Sequence, residues 1–392
     1  MPTPTSAVSP PSSSSFTTLL TRFHRLVDGW LQGDNWLWKV VVLGLITPLI
    51  FFPTHPGLWN LPTEYWAAFQ TKFYFWDTIE DQLIHPLQPI ICYDEKPGCH
   101  EEKMVFRLFL PALLAVVRGR IGVYAVQLLC WPVFLYLLAR EAEQLTHSRS
   151  VALYLTLSVM GLYIGGAFPF DFIICGDAFA YFFLLLAAVS RNRFVLTISL
   201  FLAYWVDERS LINSAYVLIY RCLVVAKDQP VFGRQNWLTG GAVLGSWIAY
   251  LGLRFGLGYL YHAETPTNSA GFDFLTTLPL HSNLLKLGRS YELLWALVLV
   301  GLWGLWQQRQ TLLLISTLAA LTVSMVVSVM VADTSRSMGY GLVLFLIVLP
   351  PALAQLRLSR LQHLLLIVAL FCVFFPTRYL LLYRPEIMYL FE

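Results

Sequence analysis

Three consecutive ionisable residues, Asp207-Glu208-Arg209, interrupt an otherwise apolar part of the chain, and they limit what it can fold into. Upstream lies Phe194–Trp205 (FVLTISLFLAYW), and downstream a second run extends from Tyr216 to about Ala226. Runs of this kind belong in a bilayer, which tolerates charges only where they pair or face a watery cavity. The plain alternative is a polar loop joining two membrane helices. Further charges in or beside apolar runs, Asp177, Arg254, Asp333 and Arg336, favour convergence on one polar site at one membrane face. A structural role for Asp207–Arg209 and Asp333–Arg336, as ion pairs that let helix ends pack, stays open beside it.

Composition supports the bilayer reading. The 392 residues are 57% hydrophobic and 12% charged, with a mean hydropathy of +0.63, whereas soluble domains carry about 25% charged residues. Thirteen Trp, 19 Tyr and 27 Phe suit broad aromatic belts at the membrane–water interfaces. A net charge of +3 without a basic block gives no reason to expect nucleic acid as a partner. The six cysteines form no metal-ligand pattern. Cys130, Cys175, Cys222 and Cys372 lie in apolar segments and read as small buried hydrophobes. Cys92 and Cys99 flank Tyr-Asp-Glu-Lys-Pro-Gly in a polar loop and, in an oxidising compartment, could form a disulfide.

In order, residues 1–35 read as a disordered and interfacial cytoplasmic N-terminus. Ser, Thr and Pro dominate to residue 20, and Arg22, Arg25 and Trp30 then suggest an amphipathic helix on the inner surface. Residues 36–392 read as one polytopic transmembrane domain. Its first span is predicted at 36–52, followed by a long outer loop at 53–104 with eight acids and three lysines. Met104–Val117 is apolar but shorter than the roughly 20 residues a crossing needs, so a re-entrant or interfacial helix is expected. Further spans are predicted at 121–138, 150–170, 174–190, 194–206, 211–225, 238–260, 291–307, 311–332, 338–356 and 362–376. The expected fold is all-α, with about 11 transmembrane helices in a multi-pass protein of a bacterial inner (plasma) membrane. Short loops rich in Lys and Arg face the cytoplasm. That places Arg140/Arg149, Arg191/Arg193, Lys227/Arg234, Arg309 and Arg357/Arg360 inside and the functional charges outside.

Several pieces in the first half share a pattern: Arg107-Leu-Phe-Leu-Pro111-Ala-Leu-Leu, Leu137-Leu-Ala-Arg140-Glu, and Gly176-Asp177-Ala-Phe-Ala-Tyr followed by Arg191-Asn-Arg193. Over residues 104–193 this resembles the N-terminal half of GT-C glycosyltransferases, the polytopic enzymes that include protein O-mannosyltransferases. The resemblance implies sugar transfer from a polyprenyl-phosphate donor, with an acid early in the first outer loop as base. The chain departs from that pattern because no Asp-Glu or Asp-Asp pair closely follows the first helix. Glu64, Asp77, Glu80 and Asp81 are the nearest candidates.

Such a donor demands a carboxylate to deprotonate an acceptor hydroxyl, cations for the departing phosphate, and a groove open to the bilayer. Asp177, Asp207 and Glu208 are the candidate catalytic acids. Arg209, Asp333 and Arg336 are candidate substrate-binding groups, since an arginine fork holds two phosphate oxygens at once. His100, Lys103 and Arg107 would share one face of a helix and complete the set. His100 with Glu101 could also ligate a divalent metal, although two ligands do not define a site. The cofactor is therefore left unassigned, and the expected partners are membrane lipid and a lipid-linked sugar. A transporter or flippase of a lipid-linked or anionic substrate is the competing reading, and a non-catalytic subunit of a polysaccharide-export assembly is a third.

Overall fold

The computed structural model describes residues 15–51, 74–88, 104–171, 176–227, 229–230, 233–263, 280–331 and 334–377. All regular structure among them is helical. In chain order the helices are α1 (Ser15–Trp30), α2 (Trp36–Phe51), α3 (Tyr74–Ile84), α4 (Phe109–Val117), α5 (Arg120–Thr146), α6 (Arg149–Met160), α7 (Tyr163–Phe170), α8 (Asp177–Val189) and α9 (Arg193–Val206). They continue as α10 (Arg209–Ile219, prolonged by a π-helical turn over Tyr220–Val225), α11 (Arg234–Tyr261), α12 (Leu280–Tyr291), α13 (Leu294–Gln307), α14 (Thr311–Val329), α15 (Thr334–Gly339) and α16 (Val343–Phe374).

Long apolar sequence explains the longest of these. Four helices, α5, α11, α14 and α16, have the length and composition to cross a membrane, and the bent pair α6–α7 makes a fifth if it counts as one span. Shorter apolar helices, α2, α8, α9 and α13, accompany them. Leu129 on α5, Ile248 and Phe255 on α11, Ile315 on α14 and Leu370 on α16 stay exposed, as side chains facing lipid would. Hydroxyls inside the bundle close on their own helix, with Thr156 donating to Ala152 O, Ser158 to Tyr154 O and Thr317 to Leu313 O. That satisfies them without water.

Helix breaks fall where the sequence permits close contact. α6 and α7 bend by 67° at Gly161-Leu162, where any side chain on Gly161 would collide with the Cys372 backbone of α16. Gly301 and Gly304 do the same for the α13–α16 seam, admitting Val348 and Pro351. Small residues are what let apolar helices approach closely when lipid supplies no hydrophobic drive between them.

One expectation needs correction. The N-terminus was expected to be disordered to residue 20, but helix already begins at Ser15. One face of α1 (Leu20, His24, Val27) packs against the protein, while Leu19, Phe23, Leu26 and Trp30 form an exposed apolar stripe. The crossings expected at 338–356 and 362–376 fall on the two parts of α16, which are separated by the non-helical Arg357 (φ 63°, ψ 161°). Among the described residues, length and composition alone qualify four or five helices as spans, with the shorter apolar helices counted apart from them. The short α4, nine residues long, extends only about 14 Å and does not reach across a bilayer core. The proposed Cys92–Cys99 disulfide lies outside the described residues.

Candidate functional site

Four chain segments bring charge to one end of the bundle. α9 ends at Val206, and Asp207 follows in extended conformation (φ −157°, ψ 130°). Its Oδ1 accepts the backbone N–H of Arg209 at 2.9 Å, so the side chain closes the turn that starts α10. Asp177 opens α8 directly after Gly176, whose positive φ of 80° is the turn a glycine tolerates best. Both acids sit at helix N-termini, where the backbone dipole favours negative charge. Arg107 lies in the turn ahead of α4, its N–H bonded to Met104 O. Arg336 projects from α15, the short helix between α14 and α16.

These side chains form one network. Asp207 takes Arg209 Nε at 2.8 Å and Nη2 at 2.6 Å, Arg107 Nη2 at 3.0 Å and Arg336 Nη2 at 3.6 Å. Asp177 faces Arg336 Nε at 2.7 Å and Arg209 Nη2 at 3.9 Å, and the Tyr163 hydroxyl donates to it at 3.2 Å. Tyr340 donates a hydrogen bond to its other oxygen and lies under the Arg209 guanidinium, 5.0 Å from the ring centre. Arg209 reaches Ser337 Oγ at 2.7 Å, and Tyr181 fixes the Arg336 carbonyl at 2.8 Å. Both aspartates are fully buried, whereas the Glu208 side chain is 36% exposed. Glu208 lies across the Arg107 fork, with Nε–Oε2 at 3.3 Å and Nη2–Oε1 at 3.1 Å.

The electrostatics close within this group. Three arginines face two buried aspartates and one half-open glutamate, so the six charges sum to zero. Burial by itself would raise the Asp207 carboxyl, but Arg107, Arg209 and Arg336 outweigh it and hold the group well below the usual carboxylate range. Arg254 sits at the margin, stacked on Phe106 at 4.6 Å and donating to Tyr250.

The structure thus brings together Asp177, Asp207, Glu208, Arg107, Arg209 and Arg336. His100, Lys103 and Asp333 lie outside the described residues, as does Glu64. Asp77 and Glu80 belong to a separate pairing: they hold Arg120 at the start of α5, with Nε–Oε1 at 2.6 Å from Glu80 and 3.4 Å to Asp77. Asp81 is exposed on α3. No group of three His, Cys, Asp or Glu able to hold a metal occurs among the described residues. Sequence reasoning missed the phenols Tyr163, Tyr181 and Tyr340, because tyrosine in a membrane protein reads first as an interfacial belt residue. The one available signal was spacing, since Tyr340 lies four residues after Arg336.

No family model, no curated protein and no solved structure matches this chain.

Proposed function

We propose that this chain is a membrane glycosyltransferase that moves a sugar from a polyprenyl-phosphate-linked donor to a hydroxyl acceptor. In this reading it works at the outer face of a bacterial inner membrane, on a GT-C-type scaffold of about eleven crossings in which the shorter apolar helices also traverse. The Arg107–Glu208 pair carries the proposal. A guanidinium fork that holds a half-exposed carboxylate in two-point geometry offers the geometry a phosphate needs.

The steps follow from that exchange. The donor phosphate displaces Glu208 from Arg107, while Asp207 keeps the three arginines aligned. The acceptor oxygen forms a bond to the anomeric carbon, and the bond from that carbon to the phosphate oxygen breaks. The phosphate leaves on the lipid, its charge held by the arginines, and the released Glu208 takes the acceptor proton. Asp177, locked by Arg336 and two phenols, keeps Arg336 in place.

The test measures transfer from polyprenyl-phosphate sugars by the purified chain in nanodiscs, with undecaprenyl phosphate as competitor. Arg107→Lys keeps the charge but loses the fork, and should weaken competition by about tenfold. Glu208→Gln should preserve competition and cut transfer by about 10²-fold or more. Unchanged transfer in Glu208→Gln, or no competition by the lipid phosphate, would overturn the proposal.

One observation favours a second reading, a transporter or flippase of a lipid-linked or anionic substrate. The cluster is assembled from broken helices: the α6–α7 bend carries Tyr163, and the short α15 carries Arg336. Discontinuous helices around a charged site are a common transporter device. Counterflow of a lipid phosphate in proteoliposomes, without any covalent product, would decide for it. Neither transfer nor counterflow would leave the non-catalytic subunit.

A further inference from the structure

A second set of charges sits at the opposite end of the same helices. α8 and α9, 13 and 14 residues long, run between the Asp177–Asp207 end and the turn that holds Arg191, with Arg193 opening α9, about 20 Å away. The far part of α5 brings exposed Arg140 and half-buried Glu141 to this end, and the π-helical turn after α10 brings Arg221. A π turn inserts an extra residue into the helix and redirects the side chains it carries.

Arg221 is the anomaly. It is only 9% exposed, and its Nε is enclosed in protein with no hydrogen-bond partner. Among the described residues no carboxylate comes within 4 Å of it. Glu141 is within electrostatic range but is bonded to the Tyr220 hydroxyl. Arg193 lies close enough to repel Arg221, and Arg140 and Arg191 both act on Glu141. Three cations therefore act on one acid, Arg193 adds a fourth beside Arg221, and the most buried of them has an unfilled Nε–H. Leaving a charged donor buried and unpaired is costly, and a guanidinium has five N–H groups to fill.

We propose that Arg221, with Arg140, Arg191 and Arg193 at the same end of the bundle, binds the phosphate group of an anionic membrane lipid there. A phosphate supplies the acceptors Arg221 lacks and neutralises the excess charge. The surroundings select a lipid over a free anion: Phe194, Val225, Trp237 and Leu238 are exposed at the ends of the elements that frame the site. They form an apolar rim suited to acyl chains, with a tryptophan where headgroup and chain meet. This site is independent of the Arg107–Glu208 reading and shares no residue with it.

The full chain, purified in a non-ionic detergent, tests the proposal by native mass spectrometry and thermal unfolding. The probes are phosphatidylglycerol, phosphatidylcholine and inorganic phosphate. Phosphatidylglycerol should remain bound and raise Tm, and phosphatidylcholine should do neither. Arg221→Met should weaken phosphatidylglycerol retention by about tenfold while leaving the lipid-free Tm unchanged or higher, because an unpaired buried charge is gone. A merely structural arginine would lower the lipid-free Tm instead. Arg193→Gln, at an exposed position, keeps the test available if Arg221→Met does not fold, and should weaken retention several-fold. Equal retention of the two lipids, full retention in both variants, or an inorganic phosphate effect matching phosphatidylglycerol would overturn the proposal. So would an equal loss in Arg309→Gln, an exposed change in another loop.

Discussion

Asp207 and Glu208 are neighbours in sequence and opposites in surroundings. Asp207 is fully buried among three guanidinium groups, while Glu208 keeps 36% of its side chain exposed and touches only one of them. Removing one member of a buried charge network strands the others, at about 3–5 kcal/mol, whereas a half-exposed pair contributes about 1 kcal/mol or less. Asp207→Asn should therefore lower Tm sharply in detergent, and Glu208→Gln should barely move it. Matching Tm losses in the two variants would show that the network is not closed as described. Glu292, in the turn between α12 and α13, makes a different prediction. Burial pushes its carboxyl up to about 7, although a hydrogen bond from Thr377 and the charge of Arg289 pull the other way. A raised carboxyl favours the folded state while protonated, so this contribution is complete below about pH 4.5 and is lost as pH rises through 7. Glu292→Gln should gain roughly 1–3 kcal/mol relative to the native chain at pH 8 and almost nothing at pH 4.5. Thermal unfolding at the two pH values measures it.

At the scale of elements, the legible part of the fold was the part that apolar run length alone dictates. The predicted 194–206 and 311–332 stretches fall on α9 and α14 because nothing in them interrupts helical hydrogen bonding. The α6–α7 bend was not legible, since it depends on Gly161 meeting the backbone of α16 more than 200 residues later. The same holds for the site. Charge in an apolar setting pointed to Asp177, Asp207 and Arg336, yet the phenols that complete Asp177 come from α7 and from beyond α15. α1 shows a contact of this long-range kind and is testable. His24 Nδ1 lies 3.0 Å from the Tyr154 hydroxyl on α6, and its ring is 4.8 Å from that of His363 on α16. Burial and then His363 lower the His24 pKa, with Asp28 on α1 opposing. The folded contact thus holds a neutral His24, and its stability is lost as pH falls below the ordinary histidine range near 6.5. Limited proteolysis of the α1–α2 link should quicken between pH 7.5 and 5.5, and His24→Phe should remove that pH dependence.

The whole molecule is asymmetric in how it treats charge. At one end six charges cancel among themselves; at the other, Arg140, Arg191 and Arg193 stand exposed beside the buried Arg221. Arg149 at the start of α6 donates to Leu31 O at 2.8 Å and to Gly33 O at 3.2 Å, which ties the N-terminal helix to this open basic end. Arg118, exposed after α4, lies at the end that carries Arg107 and the start of α5. Short basic loops are retained in the cytoplasm during insertion, so the open arginine end should be inside and the cancelled cluster outside. The energetics agree with that direction. An isolated charge at the bilayer centre costs about 2.5–3.5 kcal/mol on insertion scales, and a cluster that must be translocated is cheaper to move when its charges can neutralise one another. Single cysteines introduced at Arg118 and at Arg193 in a cysteine-free background decide the matter, because both positions are exposed and neither belongs to the central network. A membrane-impermeant maleimide should label Arg118→Cys in right-side-out vesicles and Arg193→Cys only in inverted ones. Labelling of both from one side would break the opposition of the two ends, and the reverse pattern would turn the proposed site toward the cytoplasm.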